Sequence, residues 1–247
     1  MHTEPPLPPA ELLRWYLAAG VDEAIGEQPV DRYAQPAKAP QRVAAAPMQA
    51  VSSAHLAMAC NNLDQLRAAM EAYDGCALKR TCQKTVFADG NPKAELMIVG
   101  EAPGADEDRL GLPFVGASGK LLDAMLAAIG LDRAGVYIAN VVPWRPPGNR
   151  KPEPSEVELC LPFITRQIEL VDPKVLLLLG GAPTSALLAR TDSITRLRGH
   201  WIDYSSKQLS HPIPALPTFH PAYLLRTPAH KKEAWRDLLA VKQKLSR

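Results

Sequence analysis

The chain has 247 residues, a formal net charge of +2 and four cysteines. This length allows one domain or two, and the small charge excludes the basic excess of a histone-like protein, so DNA binding would require a local basic patch. The sequence has no basic start followed by an apolar run, and its apolar stretches fall short of the roughly 18 residues of a membrane helix. We therefore expect a cytoplasmic protein that does not enter the membrane, and in that compartment four cysteines argue against a disulfide framework.

The N-terminal part of the chain differs in composition from the rest. Residues 1–26 are interpreted as a separate segment, because residues 10–26 have apolar side chains at the spacing of an amphipathic helix. Residues 27–51 are rich in Ala and Pro and cannot bury enough apolar surface to fold compactly. We expect this second segment to be a linker.

A globular domain is expected over residues 52–247. It is predicted to open with one helix over residues 52–73, which contains Cys60 and has Ser52 or Ser53 as its N-cap. Beyond this helix, short apolar runs alternate with amphipathic stretches. We found no internal repeat in the sequence.

Four short apolar runs are interpreted as buried strands, with helices after the first three and at the end of the chain. The predicted strands cover residues 95–100, 135–142, 174–180 and 213–219. The predicted helices cover residues 118–130, 155–171, 182–190 and 229–245. Alternating strands and helices predict an α/β fold, a three-layer αβα arrangement with a central four-stranded, mostly parallel sheet.

At the end of each predicted strand lie residues that can bind a ligand or take part in catalysis. Glu101 follows the first strand, Asn140 lies at the end of the second, the third ends in Gly180 and Gly181, and His220 follows the fourth. Ordinary loop chemistry explains each of these alone. Because ligands bind at the carboxyl ends of the strands in such sheets, the four together indicate a binding site at this edge.

Two nucleotide-binding motifs are missing from the sequence. Lys120 ends a "GASGK" stretch, but Leu121 follows it, so the spacing of a phosphate-binding P-loop fails. None of the predicted strands is followed by G-x-G-x-x-G. The sequence therefore favours neither a nucleoside triphosphate nor a dinucleotide cofactor.

Basic residues cluster in two places, residues 190–200 and residues 226–236. We expect the two clusters to lie beside the carboxyl ends of the third and fourth predicted strands, where they could hold a phosphate backbone. A solvated helix face explains the second cluster equally well.

The two ends of the predicted domain carry specific motifs. "GEAPGADED" (100–108) is followed by "GLPFVG" (111–116), and "HPAYLLR" (220–226) lies near the C-terminus, with "YIANVVPWRPPGNR" (137–150) between them. In this order the motifs resemble those of the uracil-DNA glycosylase superfamily, and within it the family 4 type, whose members usually carry an iron–sulfur cluster. The resemblance runs from about Tyr73 to the C-terminus.

The resemblance implies the uracil-DNA glycosylase fold and a monofunctional enzyme of base excision repair. Such an enzyme flips uracil out of DNA and hydrolyses its N-glycosidic bond, leaving an abasic site. The implied partner is uracil-containing DNA, and we expect a monomer. The loop after Trp144 lacks the basic insertion of a family variant that traps its product covalently, so turnover is expected.

The resemblance also implies roles for individual residues. Phe114 would stack on the flipped uracil, and Asn140 would read its O4 and N3–H edge. His220 would donate a hydrogen bond to O2 as negative charge develops there. Glu101 would share in catalysis by positioning water.

Further residues of the pocket follow from the same motifs. Glu107 and Asn149 are expected to lie around the uracil. Ala102 stands where relatives outside this family have a water-activating aspartate, and it cannot take that role. Whether Glu101 activates the water or shapes the pocket therefore stays open.

A second set of residues is expected to contact the rest of the DNA. Leu224 or Leu225 would fill the gap left by the flipped base, although core packing is the alternative for both. Arg226 and Arg198 would contact the phosphate backbone. Gly181 would offer backbone amides to a phosphate at the start of a helix.

The cysteines match the cluster ligands of the family only in part. The four ligand places correspond to Tyr73, Cys76, Trp144 and Cys160. Two of the four thiolates are replaced by aromatic residues, so we predict no cofactor and no metal, with the two cysteines left as buried thiols that behave as small apolar groups. Substitution of the missing ligands by Cys60 or Cys82 stays open.

Two other classes of function compete with the enzyme. One is a catalytically weak or inactive module of the same fold that binds DNA or a nucleotide. The other is an electron-transfer protein, which depends wholly on a cluster held by the cysteines.

Overall fold

The computed structural model describes residues 9–18 and 52–246. The chain splits into two compact units between Met48 and Gln49. In the first unit, the predicted N-terminal helix is present as α1, Pro9–Ala18. The remainder of the predicted helix and the predicted linker lie outside the described residues.

The described part of the second unit contains nine further α-helices and six strands. The helices are α2 (Ser53–Ala59), α3 (Leu63–Ala72), α4 (Ala105–Leu110), α5 (Ala117–Ala128), α6 (Pro154–Val171), α7 (Gly181–Leu188), α8 (Ile194–Leu197), α9 (Pro221–Arg226) and α10 (Lys231–Leu245). The strands are β1 (Asp89–Gly90), β2 (Leu96–Gly100), β3 (Val136–Asn140), β4 (Val175–Leu179), β5 (Ile202–Tyr204) and β6 (Ile213–Thr218). Among the described residues, every helix is too short or too polar to cross a membrane.

The strands form one sheet in the order β1-β3-β2-β4-β6-β5. The four central strands are parallel, and each edge strand pairs antiparallel with its neighbour. The central strands are the four that the sequence predicts. Their carboxyl ends therefore lie along one edge of the sheet, as expected.

Alternate residues of the central strands enter two separate cores. On one face, residues such as Met97 and Leu176 pack with α3 and α6 side chains including Phe163. On the other face, Ile98 and Leu177 belong to a core completed by α5 and α10. Strands buried on both faces require helices on both sides, and the predicted three-layer α/β fold is confirmed.

Two details differ from the sequence prediction. The first predicted helix is two helices, because Cys60 adopts an extended backbone at the end of α2 and the Asn62 side chain caps α3 by accepting from the Gln65 N–H at 2.9 Å. Cys60 therefore lies between helices and not within one. The sheet also has six strands and not four, because β1 and β5 are edge strands of only two and three residues, too short to give a periodic pattern.

Candidate active site

A cavity of about 690 Å³ opens at the carboxyl ends of the four parallel strands. Most of the predicted site residues line it: Glu101, Glu107, Phe114, Asn140, Asn149, Gly181, His220 and Arg226. Arg198, Leu224 and Leu225 are not among the lining residues. The fold thus brings together residues that are up to 125 positions apart, from Glu101 to Arg226.

The floor of the cavity is set by the pairing of β2 with β3. Gly100 and Asn140 are partners in the parallel register. A Cβ on Gly100 would lie 2.5 Å from Asn140 Oδ1 and 2.5 Å from Phe114 Cζ, so only glycine leaves room for both side chains. Asn140 is buried, and its Oδ1 has no hydrogen-bond partner among the described residues. A buried oxygen left unpaired costs about 1–3 kcal/mol, which a ligand N–H would offset.

Phe114 forms one wall of the cavity in an unusual backbone conformation. Its φ of 54° lies in the left-handed region, which costs a bulky residue about 1–3 kcal/mol. The ring lies 5.6 Å from the His220 ring, centroid to centroid, at an interplanar angle of 32°. The two rings therefore face the same space.

The buried carboxylate of Glu107 joins the two halves of the first motif. Oε1 accepts hydrogen bonds from the N–H groups of Val115 and Gly116, both at 2.9 Å. Oε2 accepts from the Gly104 N–H at 3.1 Å. Glu107 thus spans the loops on either side of α4 and fixes the segment that carries Phe114.

His220 is held in one tautomer. It caps α9, and its Nδ1 accepts a hydrogen bond from the Ala222 N–H at 3.1 Å, so the ring proton lies on Nε2. Burial, with a smaller contribution from the Arg226 cation and an opposing one from Glu107, lowers the pKa of His220 to about 4. Near neutral pH the ring is therefore an uncharged hydrogen-bond donor through Nε2–H.

Glu101 is a half-buried carboxyl near the start of the motif over residues 100–108, whereas Glu107 lies near its end. Burial raises the pKa of Glu101, and the nearby Lys151 cation opposes this shift. Asn149 is exposed at the rim, where its Oδ1 accepts from Arg145 Nε at 2.7 Å. Both residues lie where the sequence motifs place them, at the cavity.

The residues expected to contact DNA separate into two groups. Leu225 is 44% exposed and Arg226 is exposed, both on α9 beside the cavity mouth. Leu224 is 1% exposed and packs with Phe219 and Ala234. The helical turn that exposes Leu225 therefore buries Leu224, and of the two leucines only Leu225 is available as a wedge.

Arg198 makes its hydrogen bonds to other residues of the protein. Its Nε donates to Asp237 Oδ2 at 3.0 Å, its Nη2 also donates to Asp237 Oδ1, and the same Nη2 donates to the Glu233 carbonyl at 3.0 Å. Asp237 is buried and also accepts from Thr218 Oγ1 at 2.6 Å. Arg198 thus joins the end of α8 to α10, whose Asp237 also bonds to β6, and the structure does not bring Arg198 to the cavity.

Several lining residues escaped prediction from the sequence. Arg150 and Lys151 lie at the rim, in the "RPPGNRK" stretch whose strand-end position was the available signal. The guanidinium of Arg150 pairs with both oxygens of Glu156 at 2.6 and 2.8 Å. Ile194 and Thr195 come from α8, and no sequence pattern marks them as part of a site.

The four places of the family's cluster ligands do come together. Tyr73, Cys76, Trp144 and Cys160 are all buried in the same hydrophobic core. The Tyr73 ring stacks with Trp144 at 6.3 Å and packs edge-on to Phe163 at 5.4 Å, and Trp144 Nε1 donates to Thr85 Oγ1 at 3.0 Å. Two thiols and two aromatic rings do not supply the four thiolates of a cluster. Among the described residues, no three His, Cys, Asp or Glu side chains form a metal-binding group.

Cys76 and Cys160, the two cysteines at the ligand places, interact with each other. Both are free and fully buried. Interaction with the Cys160 thiol lowers the pKa of Cys76, and the same interaction together with burial raises the pKa of Cys160. Both cysteines are buried, as predicted, and their electrostatic interaction is a feature that the sequence did not reveal.

Comparison with known proteins agrees with this geometry. Residues 87–239 match the family described as the uracil DNA glycosylase superfamily. The chain is 40% identical to a type-4 uracil-DNA glycosylase of Saccharolobus solfataricus over 75% of this chain and 88% of the relative. It is 40% identical to one of Archaeoglobus fulgidus over 71% and 89%, and 41% identical to one of Thermotoga maritima over 61% and 77%, respectively. The chain therefore belongs to the uracil DNA glycosylase superfamily.

Proposed function

We propose that this protein is a monofunctional uracil-DNA glycosylase, which flips uracil out of DNA and hydrolyses its N-glycosidic bond to leave an abasic site. The observation that carries the proposal is the buried, unpartnered Oδ1 of Asn140, placed beside Phe114 and the neutral His220. Relatives at about 40% identity that are named type-4 uracil-DNA glycosylase support it. All the residues invoked belong to one chain, so a monomer suffices.

The base is recognised by its hydrogen-bonding edge and its ring face. Asn140 Oδ1 accepts from uracil N3–H, and its amide group donates to O4. Cytosine presents an acceptor at N3 and a donor at C4, so both contacts would be reversed for that base. Phe114 supplies the aromatic face that replaces the neighbouring bases of the stack.

Bond cleavage creates charge that the pocket stabilises. As the glycosidic bond breaks, the sugar becomes cationic and uracil leaves as an anion, with negative charge on O2. The Nε2–H of His220 donates to this oxygen, and it is oriented in advance by the hydrogen bond at Nδ1. The carboxylate of Glu101 stabilises the cationic sugar and positions the attacking water.

The surrounding DNA is held at the cavity mouth. Leu225 enters the gap left by the flipped uracil, and Arg226 contacts the backbone near it. The first amides of α7, beginning at Gly181, bind a phosphate. Glu107 and Asn149 shape the pocket through the loops that they support.

The protein is further proposed to work without an iron–sulfur cluster. The stacked Tyr73 and Trp144 rings fill the places of two ligands and stabilise the region by burial. Core aromatic residues of this kind typically contribute about 3–5 kcal/mol relative to alanine. The base pocket uses other residues and does not depend on a cluster.

The first prediction concerns excision itself. The protein is expected to convert a uracil-containing oligonucleotide to an alkali-labile product, and His220→Ala should lower kcat by about 10²–10³-fold, because one preorganised donor is lost. The exposed His211 provides a matched control, and His211→Ala should leave kcat unchanged. Tight DNA binding with no product from the unmodified protein would instead identify a binding module without catalysis.

The second prediction concerns the pH dependence of kcat/KM. If ionised Glu101 is required, activity falls as the pH drops through its pKa, which burial raises above the usual 4.5. Glu101→Gln should remove this acid limb and leave only the limb of His220 near pH 4. Lys151→Met should move the limb to higher pH, because the cation that opposes the shift is gone. An acid limb that is the same in all three proteins would exclude Glu101 as the titrating group.

The third prediction separates the two adjacent leucines. Leu225→Ala should reduce excision from double-stranded DNA more than from single strands, because only a duplex needs a wedge. Leu224→Ala should lower the free energy of unfolding by about 2–5 kcal/mol through the cavity it leaves. Equal losses on both substrates for Leu225→Ala, measured by single-turnover excision, would remove the wedge role.

The fourth prediction concerns iron. Protein purified without oxygen from iron-supplied cells is expected to contain no stoichiometric iron or acid-labile sulfide, yet to excise uracil. The double variant Tyr73→Cys/Trp144→Cys restores four cysteines and serves as the positive control, which should gain iron. One cluster per chain in the unmodified protein would refute the proposal and point to Cys60 or Cys82 as ligands.

A further inference from the structure

The loop that carries Phe114 needs support on its carbonyl side as well as on its amide side. Glu107 accepts the N–H groups of Val115 and Gly116, which fixes the residues after Phe114. The carbonyl groups of Pro113 and Phe114 point to a different partner. With φ at 54°, Phe114 would relax to another conformation if these carbonyls were released.

The partner of these carbonyls is Arg133, 19 residues further along the chain. Its Nη1 donates to the Pro113 carbonyl at 3.1 Å, and its Nη2 donates to the Phe114 carbonyl. Arg133 begins the short 3₁₀ turn that leads into β3, so it is anchored on the strand that ends in Asn140. It does not line the cavity.

The guanidinium group of Arg133 is itself fixed by two carboxylates. Nη1 donates to Asp89 Oδ2 at 2.7 Å, and Nε donates to Asp123 Oδ1 at 2.8 Å. Asp89 belongs to the edge strand β1, and Asp123 belongs to α5. Four groups from three parts of the chain, namely β1, α5 and the Phe114 loop, thus meet one planar guanidinium, a geometry that a lysine ammonium cannot reproduce.

Close packing prevents the Phe114 carbonyl from escaping in the opposite direction. A Cβ on Gly119, in the first turns of α5, would lie 1.7 Å from the Phe114 carbonyl oxygen. The carbonyl is therefore enclosed between the backbone of α5 and the guanidinium of Arg133. Its position determines where the Phe114 ring can lie.

We propose that Arg133 is a positioning residue, which sets the Phe114 ring for stacking on the flipped base by holding the carbonyl groups of Pro113 and Phe114. The proposal rests on the function proposed above, in which Phe114 stacks on uracil. It also explains why a two-residue strand is maintained at the sheet edge, since β1 delivers Asp89 to the guanidinium.

The test compares two arginines that make similar contacts in different places. Arg133→Gln is expected to lower kcat/KM for uracil excision by about 10²-fold, the loss typical of a 1 Å misplacement in a site. Arg166 donates to the Cys60 carbonyl at 2.9 and 3.0 Å and pairs with Glu169, but it lies outside the active-site cavity. Arg166→Gln should lower the melting temperature while changing kcat/KM less than twofold. Equal activity losses in the two variants would overturn the proposal.

A double-mutant cycle shows whether Arg133 acts through Phe114. In a Phe114→Ala background, Arg133→Gln should cause no further loss of kcat/KM, because the ring that it positions is gone. In an otherwise unchanged protein, Arg133→Lys should not retain the activity that Arg133→Gln loses. Fully multiplicative losses, or rescue by lysine, would contradict the proposed role. If Arg133→Gln fails to fold, Asp123→Asn carries the same cycle with a smaller expected loss.

A spectroscopic measurement separates this inference from the function on which it rests. The chain has four phenylalanines, so fluorine-labelled phenylalanine gives few ¹⁹F NMR signals, and Phe114→Leu assigns one of them. Arg133→Gln should shift or broaden that signal alone, whereas Arg166→Gln should leave it unchanged. An unaltered Phe114 signal in Arg133→Gln refutes the positioning role, whether or not the protein excises uracil.

Discussion

The site depends on the parallel pairing that places Gly100 beside Asn140. This register puts a residue without a side chain next to an amide, and the space left by the glycine is shared by the Asn140 and Phe114 side chains. Any side chain on Gly100 would displace one of them. The Asn140 amide and the Phe114 ring, which are proposed to read the base and to stack on it, are thus positioned by one backbone feature of the sheet.

Burial shifts the pKa values of the two proposed catalytic groups in opposite directions. It raises the pKa of Glu101 and lowers that of His220, because a low-dielectric site disfavours both charged forms. A nearby cation also affects the pKa of each group. Lys151 opposes the effect of burial on the pKa of Glu101, while Arg226 adds to the effect of burial on the pKa of His220. The result suits a reaction that needs an anion near the sugar and a neutral donor near the base.

The sequence predicts the strand ends well and the connections between distant side chains poorly. Asn140 and His220 could be placed because buried apolar runs predict strands, and parallel strands align their carboxyl ends. The Arg198–Asp237 pair spans 39 residues, and Arg133 reaches carbonyl groups 19 and 20 residues away. Contacts of this kind depend on packing between elements, which local patterns do not encode.

The adjacent leucines illustrate the same limit on a smaller scale. Both belong to one motif, and the packing of α9 against its neighbours, which places Leu224 beside Phe219 and Ala234, decides that Leu224 is buried and Leu225 is exposed. Likewise, the break between α2 and α3 depends on Asn62 acting as a cap, which competes with an otherwise continuous helical pattern. Propensity alone favours neither outcome.

Competition by free bases tests most directly whether Asn140 Oδ1 accepts a hydrogen bond from the N3–H group of the base. Uracil and 1-methyluracil retain this group, whereas 3-methyluracil has the same ring with the donor replaced by a methyl group. We expect uracil and 1-methyluracil to inhibit excision, and 3-methyluracil not to inhibit it. Equal inhibition by 3-methyluracil would show that the pocket does not read N3–H through Asn140, and it would contradict the proposed recognition of the base.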